Sequence, residues 1–329
     1  MTLRIGLLLG DATGIGPEIA AKLIAEGGWP DEVQVVVIGD AAVLKRGASA
    51  AGVQFDLPVV ERLDGTAGPA VLLEGPAVDL EQAPVGQVSR EAGRAAMATF
   101  ELAAALIKDG TLDALTYAPL NKQALHDAGM TFEDDLRFFV HLLKFEGNVG
   151  EINATDQLAT TRVTSHVPLK EVAGLITEDS VLQAIRLAHE TLRAAGNPHP
   201  RIGVAGLNPH AGDGGIFGRE EIEVIGPAVE RSKREQIAAA GPYPSDTVFI
   251  RARDGAFDGV VTMYHDQGQI AMKLMGFERG VTILGGLPVP VTTAAHGTAH
   301  DIAGKGIARP DALRQALQTA YTMAQGAQA

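Results

Sequence analysis

Three histidines each follow a short apolar run: His166 after "LATTRVTS", His210 after "RIGVAGLNP" and His265 after "FDGVVTMY". Imidazole ligates zinc and similar divalent ions, and three imidazoles with a fourth position open make a catalytic centre. No HExxH-type spacing links them, so distant segments would have to assemble such a centre. The plain alternative for each is a turn-capping or core histidine, and it is the shared position that lifts the set above it. The loop "GLNPHAGDGGIFGREE" (Gly206–Glu221) carries Gly212, Gly214, Gly215 and Gly218 behind His210. Positive φ angles and close approach of a small ligand to the backbone are expected there. Asn121 and Lys122 also follow an apolar run, as do Asp266 and Gln267 beside His265.

Positioning these residues requires strands that all deliver their ends to one edge. Leu3–Leu9, Val33–Asp40, Leu112–Pro119, Arg201–Pro209 and Phe257–His265 are continuous apolar runs, and several lead into helical stretches. Continuous rather than alternating runs indicate a parallel sheet covered on both faces, with ligands at the carboxyl ends of its strands. A helix is expected from Gly16 to Ala25 with Pro17 in its first turn, and long helices over Gln87–Lys108, Glu178–Ala195 and Asp311–Gln325. Asn148–Val167, rich in Thr and Val, looks like paired strands of a second lobe or an arm. Leu57–Gly86, punctuated by Pro and Gly, looks like surface loops with short strands.

The chain has 329 residues, enough for two lobes, with 46% hydrophobic and 20% charged residues. A net charge of −13 argues against nucleic acid or an anionic membrane as main partner. The absence of cysteine excludes disulfides and thiolate-bound metals. No run approaches the roughly 18–20 apolar residues that span a bilayer, and the first apolar run is too short for a secretory leader, so a cytoplasmic protein is expected. His126 and His141 lie in helical stretches, His199 in a loop, and His189 is expected on a helix surface. "AAHGTAHDIAGKG" (Ala294–Gly306) holds a compact polar turn, His296-Gly297-Thr298, which could cradle a flat heterocycle or be loop alone. "GDATGIGPE" (Gly10–Glu18) spaces its glycines GxxxGxG, so it is neither a dinucleotide fingerprint nor a P-loop. Its turn before a helix could still bind an anion or line a ligand site.

Taken in order, "GDATGIGPEI", "APLNKQAL", "TSHVPL", "GLNPHAGDGG", "GPYPSDTVF", "YHDQGQIAMKLMGF" and "HGTAHDIAG" make the chain resemble the 4-hydroxythreonine-4-phosphate dehydrogenase (PdxA) family. The resemblance implies an isocitrate/isopropylmalate-dehydrogenase-like α/β/α fold of two lobes with a cleft. On that basis residues 1–130 plus 270–329 would form a discontinuous first lobe. Residues 131–269 would form a second, with metal ligands and dimer contacts. It also implies NAD binding without a Rossmann fingerprint, with His296, Gly297 and Thr298 matching the NAD-contacting segment. A divalent metal would sit on three histidines drawn from both subunits of a homodimer with a shared active site, matching His166, His210 and His265 here. Zinc comes first, with iron, manganese or magnesium as alternatives.

The substrate segment departs from the pattern. Where the family has GHTEFF, with a His-Thr pair on the substrate phosphate, this chain has "DDLRFF", placing Asp135, Leu136 and Arg137 there. Thr282 and Val291 replace a substrate-contacting Asn and Arg. These changes lead to the expectation of a non-phosphorylated substrate, a cis-dihydrodiol of an aromatic carboxylate such as terephthalate, oxidised and decarboxylated to a catechol. Arg137, Asp135 and Thr282 would then face a small anionic substrate. Lys273 would hold its carboxylate or hydroxyl, and Lys122 and Asp246 would handle protons, unless Lys122 serves a turn and Asp246 caps the helix near Thr247. The alternatives are a 4-hydroxythreonine-4-phosphate or phospho-threonate dehydrogenase, a metal-dependent hydrolase without NAD, and a non-catalytic binding protein.

Overall fold

Strands and helices alternate along the chain in the computed structural model, which describes residues 2–328 apart from 64, 67, 156, 277 and 278. β1 (Leu3–Leu8) leads through a tight turn into α1 (Gly16–Glu26), with proline in its first turn. β2 (Val33–Gly39) is buried throughout and runs into α2 (Ala41–Ala51), where Asp40 caps the amides of Ala42 and Val43. The Pro/Gly-punctuated excursion contains β3 (Val59–Val60) and β4 (Ala70–Glu74). α3 (Arg90–Lys108) is capped by Ser89. β5 (Ala114–Tyr117) precedes α4 (Lys122–Asp127), capped by Asn121, and α5 (Asp135–Leu143), capped by Asp134.

Next come β6 (Gly150–Ala154), β7 (Ala159–Arg162) and α6 (Leu169–Leu175). α7 (Glu178–Ala194) opens with a capping box of Thr177 and Ser180. Then follow β8 (Ile202–Ala205), α8 (Gly226–Arg234), β9 (Ala239–Tyr243), α9 (Val248–Arg253), β10 (Gly259–Thr262) and α10 (His265–Leu274). The last elements are β11 (Val281–Gly285), β12 (Val291–Ala294) and α11 (Asp311–Gln328).

The chain divides into two compact units. The first comprises Met1–Glu146, Glu278–Val281 and Leu287–Ala329; the second comprises Gly147–Phe277 and Thr282–Gly286. In the first, strands lie in the order β3-β4-β2-β1-β5-β12, and neighbours pair in parallel. Its core joins Ile5, Leu7, Val35 and Val37 to Ile19 and Leu23 of α1 and Leu313 and Leu317 of α11. The buried hydroxyls of Thr116 and Thr292 meet at 2.9 Å, and Thr292 also bonds the Ala316 carbonyl, so neither is left unsatisfied in the core.

In the second unit the order is β11-β6-β7-β10-β8-β9. β6 runs antiparallel to β7, which is the paired-strand signature of Asn148–Val167, while β7, β10, β8 and β9 are parallel. Neighbouring residues of β10 serve opposite faces: Val261 packs with Val181, Leu182 and Ile185 of α7, and Val260 packs with Phe249 and Met272. His189 corrects one expectation. Its Nδ1 is enclosed on α7 without a hydrogen-bond partner among the described residues, and burial, reinforced by Arg193, lowers its pKa. Helical periodicity alone placed it on the surface, because the turn it occupies packs beside the buried Ile185 and Ala188.

Candidate active site

The three histidines leave the same edge of three neighbouring parallel strands. β10 lies between β7 and β8, with Thr262 opposite Arg162 and Val261 opposite Val204. His166 follows β7 by four residues, His265 follows β10 by three, and His210 stands on the loop after β8. Adjacent strands are about 4.8 Å apart, so this register brings their carboxyl-end loops together. Thr164 fixes the first loop by bonding the Met263 carbonyl through its amide (3.1 Å) and its hydroxyl (2.8 Å). Gln267 fixes the other two: its Oε1 accepts from the Met263 amide at 2.8 Å and its Nε2 donates to the Gly206 carbonyl at 3.0 Å.

The rings of His166 and His265 lie 5.8 Å apart between centroids and tilt by 45°. Two imidazoles on one zinc, each about 2.0–2.1 Å from it, have centroids roughly 5 Å apart, so the pair fits a shared cation. His265 Nδ1 engages Asp266 Oδ1 at 2.7 Å, which leaves Nε2 as the ligating atom. A carboxylate behind the ligand is the usual arrangement around a catalytic metal. His166 and His210 are exposed, so their rings are reachable from solvent.

The loop that carries His210 is unusual. His210, Ala211, Gly212, Asp213 and Gly214 form an unbroken left-handed run, with φ values of 55°, 54°, 80°, 44° and 67°. Glycine takes such angles freely, but His210, Ala211 and Asp213 each bear strain on the order of 1 kcal/mol. The sequence pointed to positive φ at the glycines and missed it at the histidine itself. It also missed Glu221, 4% exposed, whose Oε1 accepts from the amides of Leu207 (2.8 Å) and Asn208 (2.7 Å).

The remaining candidates in this unit are placed as follows. Lys273 is exposed in the last turn of α10. Asp246 is exposed one residue before Thr247, and Thr247 rather than Asp246 holds the cap position of α9. Thr282 Oγ1 bonds the buried Asn153 at 3.1 Å.

In the first unit the turn of Gly10–Gly16 is packed inward rather than open. Asp11 through Gly16 are buried, Asp11 Oδ1 accepts from Thr13 N (2.7 Å) and Thr13 Oγ1 (2.6 Å), and Gly10 has a φ of 71°. That short contact uses the hydroxyl proton, so the His300 ring, 3.2 Å away at Nε2, donates to Thr13. The Thr298 carbonyl accepts from Ile15 N at 3.0 Å. Glu18 accepts from the amides of Gly306 and Ala308, while Lys22 donates to both carbonyls. The segment after His296 is thereby clamped to α1. His296 is partly exposed, Gly297 is exposed with open space where a Cβ would stand, and Thr298 is buried, so a shallow, firmly anchored shelf results. Such a shelf can receive a flat heterocycle. Lys122 is exposed at the first residue of α4.

"DDLRFF" is the start of a helix. Asp134 caps α5 through the Arg137 amide, Asp135 accepts from the Tyr117 hydroxyl, Leu136 is 3% exposed in the core, and Arg137 is exposed.

The family profile described as "Pyridoxal phosphate biosynthetic protein PdxA" matches residues 31–320. The chain belongs to this family. A relative from Pseudomonas aeruginosa that provisionally carries the name 4-hydroxythreonine-4-phosphate dehydrogenase 2 is 47% identical over 97% of this chain and 96% of its own. The D-threonate 4-phosphate dehydrogenase of Pectobacterium atrosepticum is 38% identical over 98% of this chain and 100% of its own. The crystal structure of 4-hydroxythreonine-4-phosphate dehydrogenase from Klebsiella pneumoniae superimposes with a TM-score of 0.85 at 36% identity, covering 99% of both chains. These structures share the isocitrate-dehydrogenase-like α/β fold.

The same comparisons overturn the expected dihydrodiol substrate. A terephthalate 1,2-cis-dihydrodiol dehydrogenase from Burkholderia xenovorans is more distant, at 28% identity and a TM-score of 0.69 over 98% of both chains. Physically, "DDLRFF" serves the start of α5, with Asp134 as its cap, so its departure from the family pattern does not by itself signal a different substrate. Asp135 is held by Tyr117, and Leu136 is core.

Proposed function

We propose that this chain is an NAD-dependent dehydrogenase of a small phosphorylated hydroxy acid, of the 4-hydroxythreonine-4-phosphate or D-threonate 4-phosphate type named for its relatives. The observation that carries the reading is that His166, His210 and His265 all leave one edge of β7, β8 and β10, with the His166 and His265 rings 5.8 Å apart. These three histidines would hold a divalent cation, with zinc or iron fitting imidazole better than magnesium. When bound there, the ion supplies positive charge that favours loss of the substrate hydroxyl proton. NAD supplies the hydride acceptor that no side chain can.

The chain's own residues then bind and orient. His296, Gly297 and Thr298 would contact the cofactor, and Lys273 would pair with the substrate carboxylate. Lys122 and Asp246 are the candidates for receiving the hydroxyl proton. NAD held there would supply the acceptor for the hydride of the carbinol carbon, and the hydroxyl proton would go to the base. The resulting β-keto acid loses CO2, its C–C bonding pair passing to the neighbouring carbon, which is then protonated. A homodimer with a shared site is part of the reading. It is supported by apolar side chains left exposed in the unit that carries the histidines: Leu274 (84%), Ile216 (75%) and Leu169 (70%).

The test is NADH formation by the metal-loaded protein, with 4-hydroxythreonine-4-phosphate, D-threonate 4-phosphate and their unphosphorylated forms offered separately. Turnover of a phosphate ester alone supports the reading. Equal turnover of the unphosphorylated acids would sink it.

A further inference from the structure

Glu221 stands where a buried carboxylate is hard to explain by packing alone. Among the described residues its partners are amide donors rather than a cation. The backbone amides of Leu207 and Asn208 reach Oε1, and the Asn208 side-chain amide reaches Oε2 at 3.0 Å. The same Asn208 Nδ2 also donates to Glu220 at 2.7 Å, so both carboxylates of the Glu220-Glu221 pair grip one residue. Glu221 opens a π-helical turn, Glu221–Ile225, a wide turn that tends to occur where a side chain must be aimed. Its Oε2 also lies where a Cβ on Gly212 would come within 2.7 Å, so the carboxylate fills the inside of the left-handed turn.

Within this frame His210 adopts a backbone that a histidine avoids. The chain reverses from extended at Asn208 (φ −90°, ψ 158°) through Pro209 into five left-handed residues. At its two ends the run is tied by Ala211 N to the Asn208 carbonyl and Phe217 N to the Gly212 carbonyl, each at 3.1 Å. The Glu221 carboxylate braces this strained segment from outside, at its entry through Leu207 and Asn208 and on its inner side beside Gly212.

We infer that Glu221 is a positioning residue, whose buried carboxylate clamps Leu207 and Asn208 so that the left-handed turn presents the His210 imidazole to the divalent cation. This rests on the three-histidine reading given above. Glu221 touches neither substrate nor cation; it acts through His210.

The experiment compares Glu221→Ala, Glu221→Gln and His210→Ala in the full-length chain, measuring zinc affinity of the metal-free protein by calorimetry. Amide hydrogen exchange across residues 206–217, without metal, gives a second readout independent of activity. Glu221→Ala is expected to bind zinc at least about tenfold more weakly, the scale of losing a supporting carboxylate behind a ligand. Exchange at Leu207 and Asn208 should rise by a similar factor. Glu221→Gln keeps an oxygen for both backbone amides but turns its NH2 toward the Asn208 NH2, so it should fall between parent and alanine. If the alanine variant fails to fold, the glutamine variant decides. Parent-like zinc affinity in a Glu221 variant that is merely less heat-stable would overturn the inference, because a purely structural glutamate lowers stability alone. His210→Ala separates the two levels. Parent-like zinc binding in that variant overturns the three-histidine reading itself. Lost zinc binding there, with intact binding in both Glu221 variants, overturns only the role of Glu221.

Discussion

Gly10–Gly16 and Gly206–Gly218 look alike as strings of letters: each is glycine-rich, follows a buried parallel strand and keeps a carboxylate inside. Their structures diverge. In the first, Gly10 alone takes a positive φ, and Asp11 through Gly16 are buried beneath the clamped 298–308 segment. In the second, three non-glycine residues take positive φ and the turn stands exposed, with His210 at its start. The carboxylate of Asp11 serves its own turn through Thr13, whereas that of Glu221 reaches back to the opposite end of its loop. Glycine content marks a tight path for the chain. It does not say whether that path packs a core or presents a ligand; strain on the non-glycine residues does.

The contrast is tested most severely at the presenting turn and its neighbour. His265→Ala should abolish metal retention and lower turnover by at least about a thousandfold, as loss of a group that stabilises developing charge does. The fold should survive, because His265 is partly exposed and lies outside the two hydrophobic clusters that flank β10. Metal content after dialysis and steady-state kinetics check it, and full activity would rule out the three-histidine centre.

A matched pair of substitutions then separates packing from presentation. Asp11→Ala removes the acceptor for the Thr13 amide and hydroxyl and should cost roughly 1–3 kcal/mol of stability, while zinc affinity stays at the parent value. Gly212→Ala places a Cβ 2.7 Å from Glu221 Oε2 and 2.9 Å from the Gly218 carbonyl at a φ of 80°, so it should weaken zinc binding, unlike Asp11→Ala. Thermal melts and calorimetry on both variants read the two effects, and the reverse pattern would erase the distinction between the turns. Asp11→Asn is a finer probe. Asp11 Oδ2 is buried without a hydrogen-bond partner among the described residues, so an amide there leaves Oδ1 to serve Thr13 and should cost less than alanine.

The order of elements was legible because apolar runs, Pro17, and the cap residues Asp40, Ser89 and Asn121 act locally, within a few residues. The histidine set was legible for a related reason: strand ends in a parallel sheet share an edge, so position relative to an apolar run is already positional information. Glu221 was hidden, since its partners lie 13 and 14 residues away and depend on how the loop reverses. Asp11, Thr13 and His300 were hidden likewise, the last contact spanning 287 positions. "DDLRFF" failed in a different way. A departure from a family pattern was given a substrate meaning, although Asp-Asp before an amphipathic run is also an ordinary helix start, and the structure uses it as one.

The smallest effect concerns stability against acid in the unit that carries the histidines. Besides Asp11 Oδ2, His189 Nδ1 is the buried side-chain atom without a partner among the described residues. Burial holds the His189 pKa below its ordinary value of 6.5, so the folded state keeps the ring neutral where the unfolded chain already takes up a proton. The unfolded state thus binds more protons, and stability must fall as pH drops below about 6.5 and level off below the folded-state pKa. Glu190 beside it favours the charged ring and trims the effect, while Arg193 adds to it. Replacing His189 by Gln removes the titrating group, so unfolding midpoints measured between pH 7.5 and pH 5 should converge on those of the parent at the upper end and exceed them at the lower. Parallel curves across that window would mean that the ring is solvated in the folded protein and that its enclosure on α7 has no energetic consequence.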